Sequence, residues 1–450
     1  MKSLMFRRFL FTLSLLGFSL NLSFAATTLP ATEPPPTEML EQESQQLSEE
    51  DIKRFVTSIA VIRHYYIKEE NDNTLFDDAI RGMVSSLDPH STYLDAKDLK
   101  ELNNAVDGRF VGVGIEIVPD QGVIKVISPL DGSPAAAAGI KPGDLIIKVN
   151  NELVANLNFR EAVDKIKGAP GTSVALTVLR PSKSKPLKFT MKRASIKINA
   201  IKTRLLDNHY GYVRISFFQS PLIRQLVNGV DKLKRDSKSQ LRGLILDLRN
   251  NPGGLLQSGT DVADAFLDAN NLNRYQNNIV YTKGRIPSAS MAIKASPGDI
   301  IKGIPMVVLI NQGSASASEI VAGALQDYGR AVVVGAQSFG KGSVQTLIPV
   351  SKDEAIKLTT ALYYTPAGRE IQAKGITPDV TVPDLQIATT NAMTISIDEN
   401  SLENHLNNSE GTALLTDYNS EEDIKLAKED YQLYQALIVL EGMSASRLAS

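Results

Sequence analysis

The sequence predicts an α/β protein: a core of alternating strands and helices, a separate β-rich module before it, and helical segments at both ends. Three observations lead there. Between Gly211 and Thr365, apolar runs of strand length alternate with stretches of helical spacing. Between Gly108 and Leu179 the pattern changes to short strands cut by Gly and Pro. Earlier, Ile52, Phe55, Val56, Ile59, Ile62 and Tyr66 recur at intervals of three and four. Repeated strand–helix alternation puts helices on a central sheet.

Composition narrows the chemistry. The 450 residues are 43% hydrophobic and 22% charged, ordinary for a globular protein. Their 48 basic and 50 acidic residues leave a net charge of −2, which gives no reason to expect nucleic acid or anionic lipid as partner. The chain has no cysteine, so disulfides, thiolate catalysis and Cys-ligated zinc are excluded. His64, His90, His209 and His405 are far apart and form no HExxH pair, so each reads as structural or surface. No metal-binding or nucleotide motif occurs, and no cofactor is expected.

Residues 1–25 have the form of a cleaved secretory signal. Lys2, Arg7 and Arg8 precede an apolar stretch, Phe9 to Leu22, too short for a confident spanning helix, and Ser23-Phe24-Ala25 offers small residues for cleavage. A periplasmic or otherwise exported protein follows as the expectation, without a lipoprotein cysteine, and an uncleaved N-terminal anchor is the less favoured alternative given the short apolar core. Residues 26–50 are rich in Thr, Pro, Glu and Gln and read as a linker. Residues 51–106 form the N-terminal helical segment, with a second helix at Leu75–Leu87, a turn at Asp88-Pro89-His90-Ser91, and a third helix at Ala96–Val106.

Residues 107–193 form the β-rich module. Phe110 to Ile117 reads as one alternating strand with two glycines, and Gly122–Ile127 as the next. A short helix at Ser133–Gly139, a turn at Lys141-Pro142-Gly143-Asp144, a strand at Leu145–Val149, a helix at Phe159–Ile166 and a strand at Ser173–Leu179 follow. This order resembles a PDZ domain of secreted bacterial proteases. The resemblance makes Gly112, Val113, Gly114 and Ile115 the loop that binds a terminal carboxylate, with the adjacent strand edge pairing the peptide. Arg180, at the end of the last strand, reads as a surface charge, with sensing of a bound tail as the alternative.

Residues 194–384 form the core. Strands at Gly211–Phe218, Leu241–Leu248, Met306–Ile310, Ala331–Gly335 and Lys357–Thr365 enclose helices at Pro221–Lys234, Gln257–Phe266 and Val321–Tyr328. Three turns carry unusual polar residues: Asn250–Gly254, Asn311–Glu319 and Ser338–Gln345. Such turns converge at the carboxyl edge of a parallel sheet. One supplies serines at a helix start, where N–H groups and the dipole favour an oxyanion, although capping would explain them too. Another supplies Lys341. A lysine desolvated beside Gly340 and Phe339 favours its neutral amine and can take a proton from a serine, a Ser/Lys dyad that needs neither histidine nor cysteine. Spacing does not rank Ser314, Ser316 and Ser318.

The run Ser314–Ile320, the run Ser338–Gln345, the turn Asp247–Gly254 and the early Leu87-Asp88-Pro89-His90-Ser91-Thr92-Tyr93-Leu94 together resemble the carboxyl-terminal processing peptidases, or tail-specific proteases. The resemblance spans about Asp51 to Pro383. It implies a crotonase/ClpP-like protease core with an inserted PDZ-like domain, and a serine endopeptidase acting on protein or peptide tails. It implies Ser316 as nucleophile, Lys341 as general base, Gln345 one helical turn later as the residue holding that base, and the N–H groups of Gly254 and Ala317 as the oxyanion hole. Glu319 then falls in the first helical turn, where capping suffices to explain it and orienting the site is the alternative. Two rivals stand beside this: a catalytically inactive PDZ scaffold, and a hydrolase of cell-wall peptides. An adaptor protein and a homodimer through the terminal helices are compatible partners. Residues 385–450 are expected to be a polar linker and a C-terminal helix, Glu421–Met443, whose stripe Ile424, Ala427, Tyr431, Tyr434 and Ile438 packs on the body in preference to a second subunit.

Overall fold

A computed structural model describes residues 48–106, 109–197, 200–207, 209–238, 240–385 and 421–449. The signal, nearly all of the first linker and most of the polar stretch after 384 lie outside these residues. Two N-terminal helices, α1 (Glu49–Tyr65) and α2 (Asp72–Ser85), lead to a short strand β1 (Thr92–Leu94) and helix α3 (Ala96–Val106). Ser48 and Asn71 cap α1 and α2 by accepting hydrogen bonds from Asp51 and Asn73. The apolar face of α1 is uncovered: Ile52 is 50% exposed and Val56 57%.

The PDZ-like module follows. Strand β2 (Arg109–Gly112) enters it, and β3 (Ile115–Asp120), β4 (Val123–Pro129), β5 (Leu145–Val149), β6 (Glu152–Leu153), β7 (Ser173–Leu179) and β8 (Leu187–Lys192) build it. Helices α4 (Pro134–Ala138) and α5 (Phe159–Ile166) pack on it. Strand β9 (Ala194–Lys197) pairs antiparallel with β2, so entry and exit are zipped together. The sheet order is β3-β4-β5-β7-β8, which leaves β3 at an edge. Alternating burial along β7 puts Val174, Leu176 and Val178 in a core with Ile124, Val126, Ile146 and Ile166.

The main sheet has order β10-β11-β12-β15-β16-β19, with β10 (Ile201–Leu206) antiparallel to β11 (Tyr210–Ile215) and the rest parallel. Its middle strands β12 (Gly243–Asp247) and β15 (Met306–Ile310) are buried at every residue, as parallel strands covered on both faces must be. Helices α6 (Ile223–Asp236), α7 (Leu256–Asp264) and α8 (Ala317–Asp327) cover one face. A second sheet brings together β1, β18 (Ala355–Tyr364), β13 (Asn278–Gly284) and β14 (Ala292–Lys294), with β17 (Ser343–Pro349) also on β18. Strands β16 (Val332–Gly335) and β19 (Val380–Thr381) complete the main sheet. The C-terminal helices are α9 (Glu421–Glu429) and α10 (Tyr431–Ala449).

Four expectations change. Phe110–Ile117 is two strands, because Gly112 and Gly114 adopt positive φ and turn the chain between them. Glu421–Met443 is two helices, broken at Asp430, whose carboxylate caps the second by accepting from Leu433 N at 3.0 Å. The tail does pack on the body, but through Leu433, Ala436, Leu437 and Leu440 of α10, while Ile438 is 43% exposed. The register error follows from the break, since a stripe drawn through both helices cannot hold its phase. Arg180 is no free surface charge: it forms a two-pronged ion pair with the buried Asp144 at 2.7 and 2.8 Å and donates to Gly139 O.

A buried ionic chain ties the modules. Asp247, fully buried, accepts from Arg214 at 3.1 Å, Arg249 at 2.7 Å and Tyr212 at 2.8 Å. Arg214 also pairs Asp131 of the PDZ-like module at 2.6 Å, and Arg249 pairs Asp430 before α10 at 2.7 Å. Burial pushes the Asp247 carboxyl up, but Arg249 and Arg214 outweigh it and hold it below the usual range. A depressed carboxyl contributes stability that is present above its unfolded value, about pH 4, and is lost on acidification below it. Arg249→Ala leaves that carboxylate short of a partner and should cost about 3–5 kcal/mol in urea unfolding at pH 7, with faster hydrogen exchange in α10.

Candidate active site

Three turns leave the carboxyl ends of β12, β15 and β16, as expected for an α/β site. Two of them, the serine turn and the lysine turn, meet at the carboxylate of Glu319, fully buried in the first turn of α8. One oxygen accepts from Ser316 N at 2.8 Å and Lys341 N at 2.9 Å. The other accepts from Ser338 Oγ at 2.6 Å and Gly340 N at 2.7 Å. Burial raises the carboxyl above its ordinary range against these four donors. The capping geometry is present, yet the same side chain also fastens the serine turn to the lysine turn.

Ser316 has φ 56° and ψ −116°, a sparsely populated conformation for a residue with a Cβ. Its hydroxyl lies 3.2 Å from the Tyr363 hydroxyl. Burial pushes the Tyr363 phenol up to about 12, so it remains a neutral partner. The neighbouring serines are engaged differently. Ser314 Oγ donates to Leu248 O and Ser318 Oγ to Asn251 O, each at 2.8 Å. Both thereby clamp the serine turn to the segment Asp247–Gly254. Gly253 passes so close that a Cβ there would sit 2.7 Å from Ser316 Cβ. Among the described residues, the N–H groups of Gly254 and Ala317 have no acceptor.

Lys341 sits on the turn before β17. Among the described residues its side-chain amine makes no hydrogen bond or ion pair, to Ser316 Oγ or to any other group. Its charge acts instead on His90, on Glu116 of β3 and on Lys357 of β18. Gln345 is on a strand, not a helical turn beyond the lysine, and its amide nitrogen donates to Ser343 Oγ at 3.0 Å and Thr359 Oγ1 at 3.2 Å. The PDZ-like module overlies these turns. Ser128 Oγ donates to Asn250 O at 2.7 Å, and Lys125 stands over the Phe339 ring at 5.8 Å.

The sequence and structure comparisons can now be set beside this geometry. The model for Peptidase family S41 matches residues 209–382, the PDZ domain model residues 102–179, and the activating protease CtpB N-terminal domain model residues 20–98. The chain is 39% identical over 402 residues to a carboxy-terminal-processing protease of Bartonella bacilliformis, covering 88% of this chain and 91% of that protein. It belongs to the carboxy-terminal processing proteases. Identity to the carboxy-terminal processing protease CtpB of Bacillus subtilis is 34%, covering 80% of this chain and 74% of that one. The photosystem II D1 C-terminal processing protease superimposes with a TM-score of 0.61 at 28% identity, over 75% of this chain and 94% of that one.

As a carboxy-terminal processing protease, the protein is a serine-type peptidase carrying a PDZ domain. In that domain the Gly112–Ile115 loop is built for close approach. Gly114 has φ 73°, and a Cβ there would lie 2.4 Å from Ser133 Cβ. The carbonyls of Val113 and Gly114 are taken by Ala135 N and Leu130 N, while among the described residues the Val113 and Gly114 N–H groups have no acceptor.

Sequence reasoning did not find Tyr363 or Ser338, nor the bridging role of Glu319. Tyr363 lies in a strand with ordinary apolar patterning, and nothing local marks it. Glu319 carried a signal: a carboxylate flanked by Ser318 and Ile320 in an apolar helix start has to be satisfied.

Two outcomes test the site's electrostatics. Glu319→Gln sets one NH2 group where an oxygen had accepted two hydrogen bonds, and should cost about 1–3 kcal/mol in guanidinium chloride unfolding while cutting turnover. Burial, aided by Lys341, pushes the His90 imidazole down from 6.5 to about 4. The unfolded chain then binds more protons between those values, so stability rises with pH from about 4 to 6.5. That part of the slope should vanish in His90→Gln when unfolding is measured across this range.

Proposed function

We propose that this protease is an exported endopeptidase that captures substrate C-terminal tails on its PDZ domain and cuts them with Ser316 and Lys341. The observation that carries the reading is the state of the three serines. Ser314 and Ser318 hydroxyls are spent on backbone carbonyls, whereas Ser316 is held in a strained conformation beside two N–H groups that have no acceptor among the described residues. Those N–H groups, of Gly254 and Ala317, serve a developing oxyanion, where one such donor is typically worth about 100- to 1000-fold in rate. Lys341 removes the hydroxyl proton as Ser316 attacks the peptide carbonyl, and returns it to the leaving amine. Water then attacks the acyl-enzyme with Lys341 as base again.

In the present state the Lys341 amine makes no hydrogen bond to Ser316 among the described residues, so this step requires the lysine to swing to the hydroxyl. We read this state as gated by the PDZ domain. Strand β3 is a sheet edge open to an added peptide strand, and it begins at Ile115, directly after the N–H groups of Val113 and Gly114, which have no acceptor among the described residues. The same β3–β4 pair contacts Asn250 and Phe339, so strand addition bears directly on the catalytic turns. Export is supported by the basic start and apolar stretch of residues 1–25. The uncovered apolar face of α1 suits a homodimer contact, and an adaptor protein is compatible with the open β3 edge.

Ser316→Ala should lower cleavage of a tail-bearing protein by about 10⁴-fold or more. Lys341→Arg should abolish it, since an arginine stays protonated. Amidating the substrate C-terminus should raise KM. Cleavage that survives Ser316→Ala would assign the activity elsewhere, and one indifferent to amidation would favour the cell-wall hydrolase.

A further inference from the structure

The early motif Leu87–Leu94 belongs to none of the roles above, yet its turn reaches the active-site sheet. Strand β1 pairs with β18, with Thr92 opposite Lys357. The turn before it is closed by Asp88, whose Oδ1 accepts from His90 N at 2.8 Å and Ser91 N at 3.0 Å. Asp88 Oδ2 accepts from Ser91 Oγ at 2.6 Å. One more donor comes from the core: Thr359 Oγ1 to Asp88 Oδ1, at 3.1 Å. Ser91 Oγ in turn accepts from Thr359 N at 3.0 Å. Burial pushes the Asp88 carboxyl up, but these donors outweigh it and hold it below its usual range, so it remains an acceptor.

The proton direction along this chain is fixed. An ionised carboxylate only accepts, so the single Thr359 hydroxyl hydrogen goes to Asp88. Thr359 Oγ1 can then only accept from its cross-strand neighbour, and Gln345 Nε2 donates to it at 3.2 Å. Ser343 Oγ takes a second hydrogen of the same amide nitrogen at 3.0 Å. The amide is thereby oriented, because the reverse flip would set its oxygen against a hydroxyl with no hydrogen left to give. Gln345 Oε1 is left without a hydrogen-bond donor among the described residues.

We propose that Asp88 and Thr359 are positioning residues for the peptidase reaction: they lock the Gln345 amide so that its oxygen faces the approach of the Lys341 amine. This rests on the reading of Lys341 as base and Gln345 as its holder. An amide oxygen accepts from an amine or ammonium alike, and does not stabilise the protonated form as a carboxylate would. The N-terminal segment thus completes the catalytic centre from outside the peptidase core.

The test uses the full-length protein and a peptide bearing a free C-terminal tail. Thr359→Val keeps the shape and removes the hydroxyl. It should lower kcat by about tenfold or more with KM within about twofold, the pattern of a transition-state interaction lost. Thr359→Ser should restore kcat to within about threefold of wild type. Asp88→Asn should fall with Thr359→Val and add little to it in the double variant. Thermal unfolding of each variant gives the folded fraction by which kcat is corrected. A corrected kcat that Thr359→Val leaves unchanged, or that Thr359→Ser fails to restore, overturns the proposal. Lys341→Ala separates the layers: an active Lys341→Ala removes the base assignment itself, while an inactive one beside an active Thr359→Val removes only the Asp88–Thr359 lock.

Discussion

The carboxylate of Glu319 is the constraint on which the rest of the site depends. A buried charge is tolerated only when its lone pairs are filled, and here four donors fill them. Those donors come from two turns that are far apart in sequence, one carrying Ser316 and the other Lys341. Satisfying one carboxylate therefore fixes where the two turns sit relative to each other. The backbone strain at Ser316 is held by the same bonds, since Ser316 N is one of the donors. A cap at a helix start has become a fastener for a catalytic centre without ceasing to be a cap.

Around this point a line of charges joins the modules, beside the apolar packing of α10 on the main sheet. Asp131 to Arg214, Arg214 to Asp247, Asp247 to Arg249 and Arg249 to Asp430 form one line from the PDZ domain through the main sheet to the C-terminal helices. The line passes directly into the Asn250–Gly254 turn, because Arg249 is its neighbour in the chain. Ion pairs between modules are specific in direction and register, and they let a domain shift without exposing a hydrophobic core. That suits a peptidase whose PDZ domain lies against its catalytic turns.

The polar stitching of the second sheet follows the same logic. The turn of the N-terminal segment, β18 and β17 are linked by Asp88, Thr359 and Gln345, residues brought together across 271 positions between Asp88 and Thr359. Each side chain is unremarkable alone. Their order of donors and acceptors is what carries information, and it exists only once the three strands are paired.

How much of this the sequence held can be seen element by element. Its apolar periodicity placed β15, α5 and β7 within their observed bounds, since buried strands and amphipathic helices write their burial into residue spacing. The absence of cysteine excluded thiolate chemistry, and the scatter of histidines left no local histidine motif. The glycine-rich turns named the three places where a site could form. Periodicity failed where a local break reset it, at Gly112–Gly114 and at Asp430, because a pattern is phase-coherent only within one element. It was silent on the choice among Ser314, Ser316 and Ser318, which depends on partners, Leu248 O, Tyr363 and Asn251 O, supplied by other strands. Sequence alone thus determined the elements, the class of nucleophile and the candidate turns, because these follow from local composition. Tertiary structure alone decided which serine is strained, which carboxylate binds the turns together and where the Gln345 amide points, because hydrogen-bond direction is set by neighbours that only the fold brings into reach.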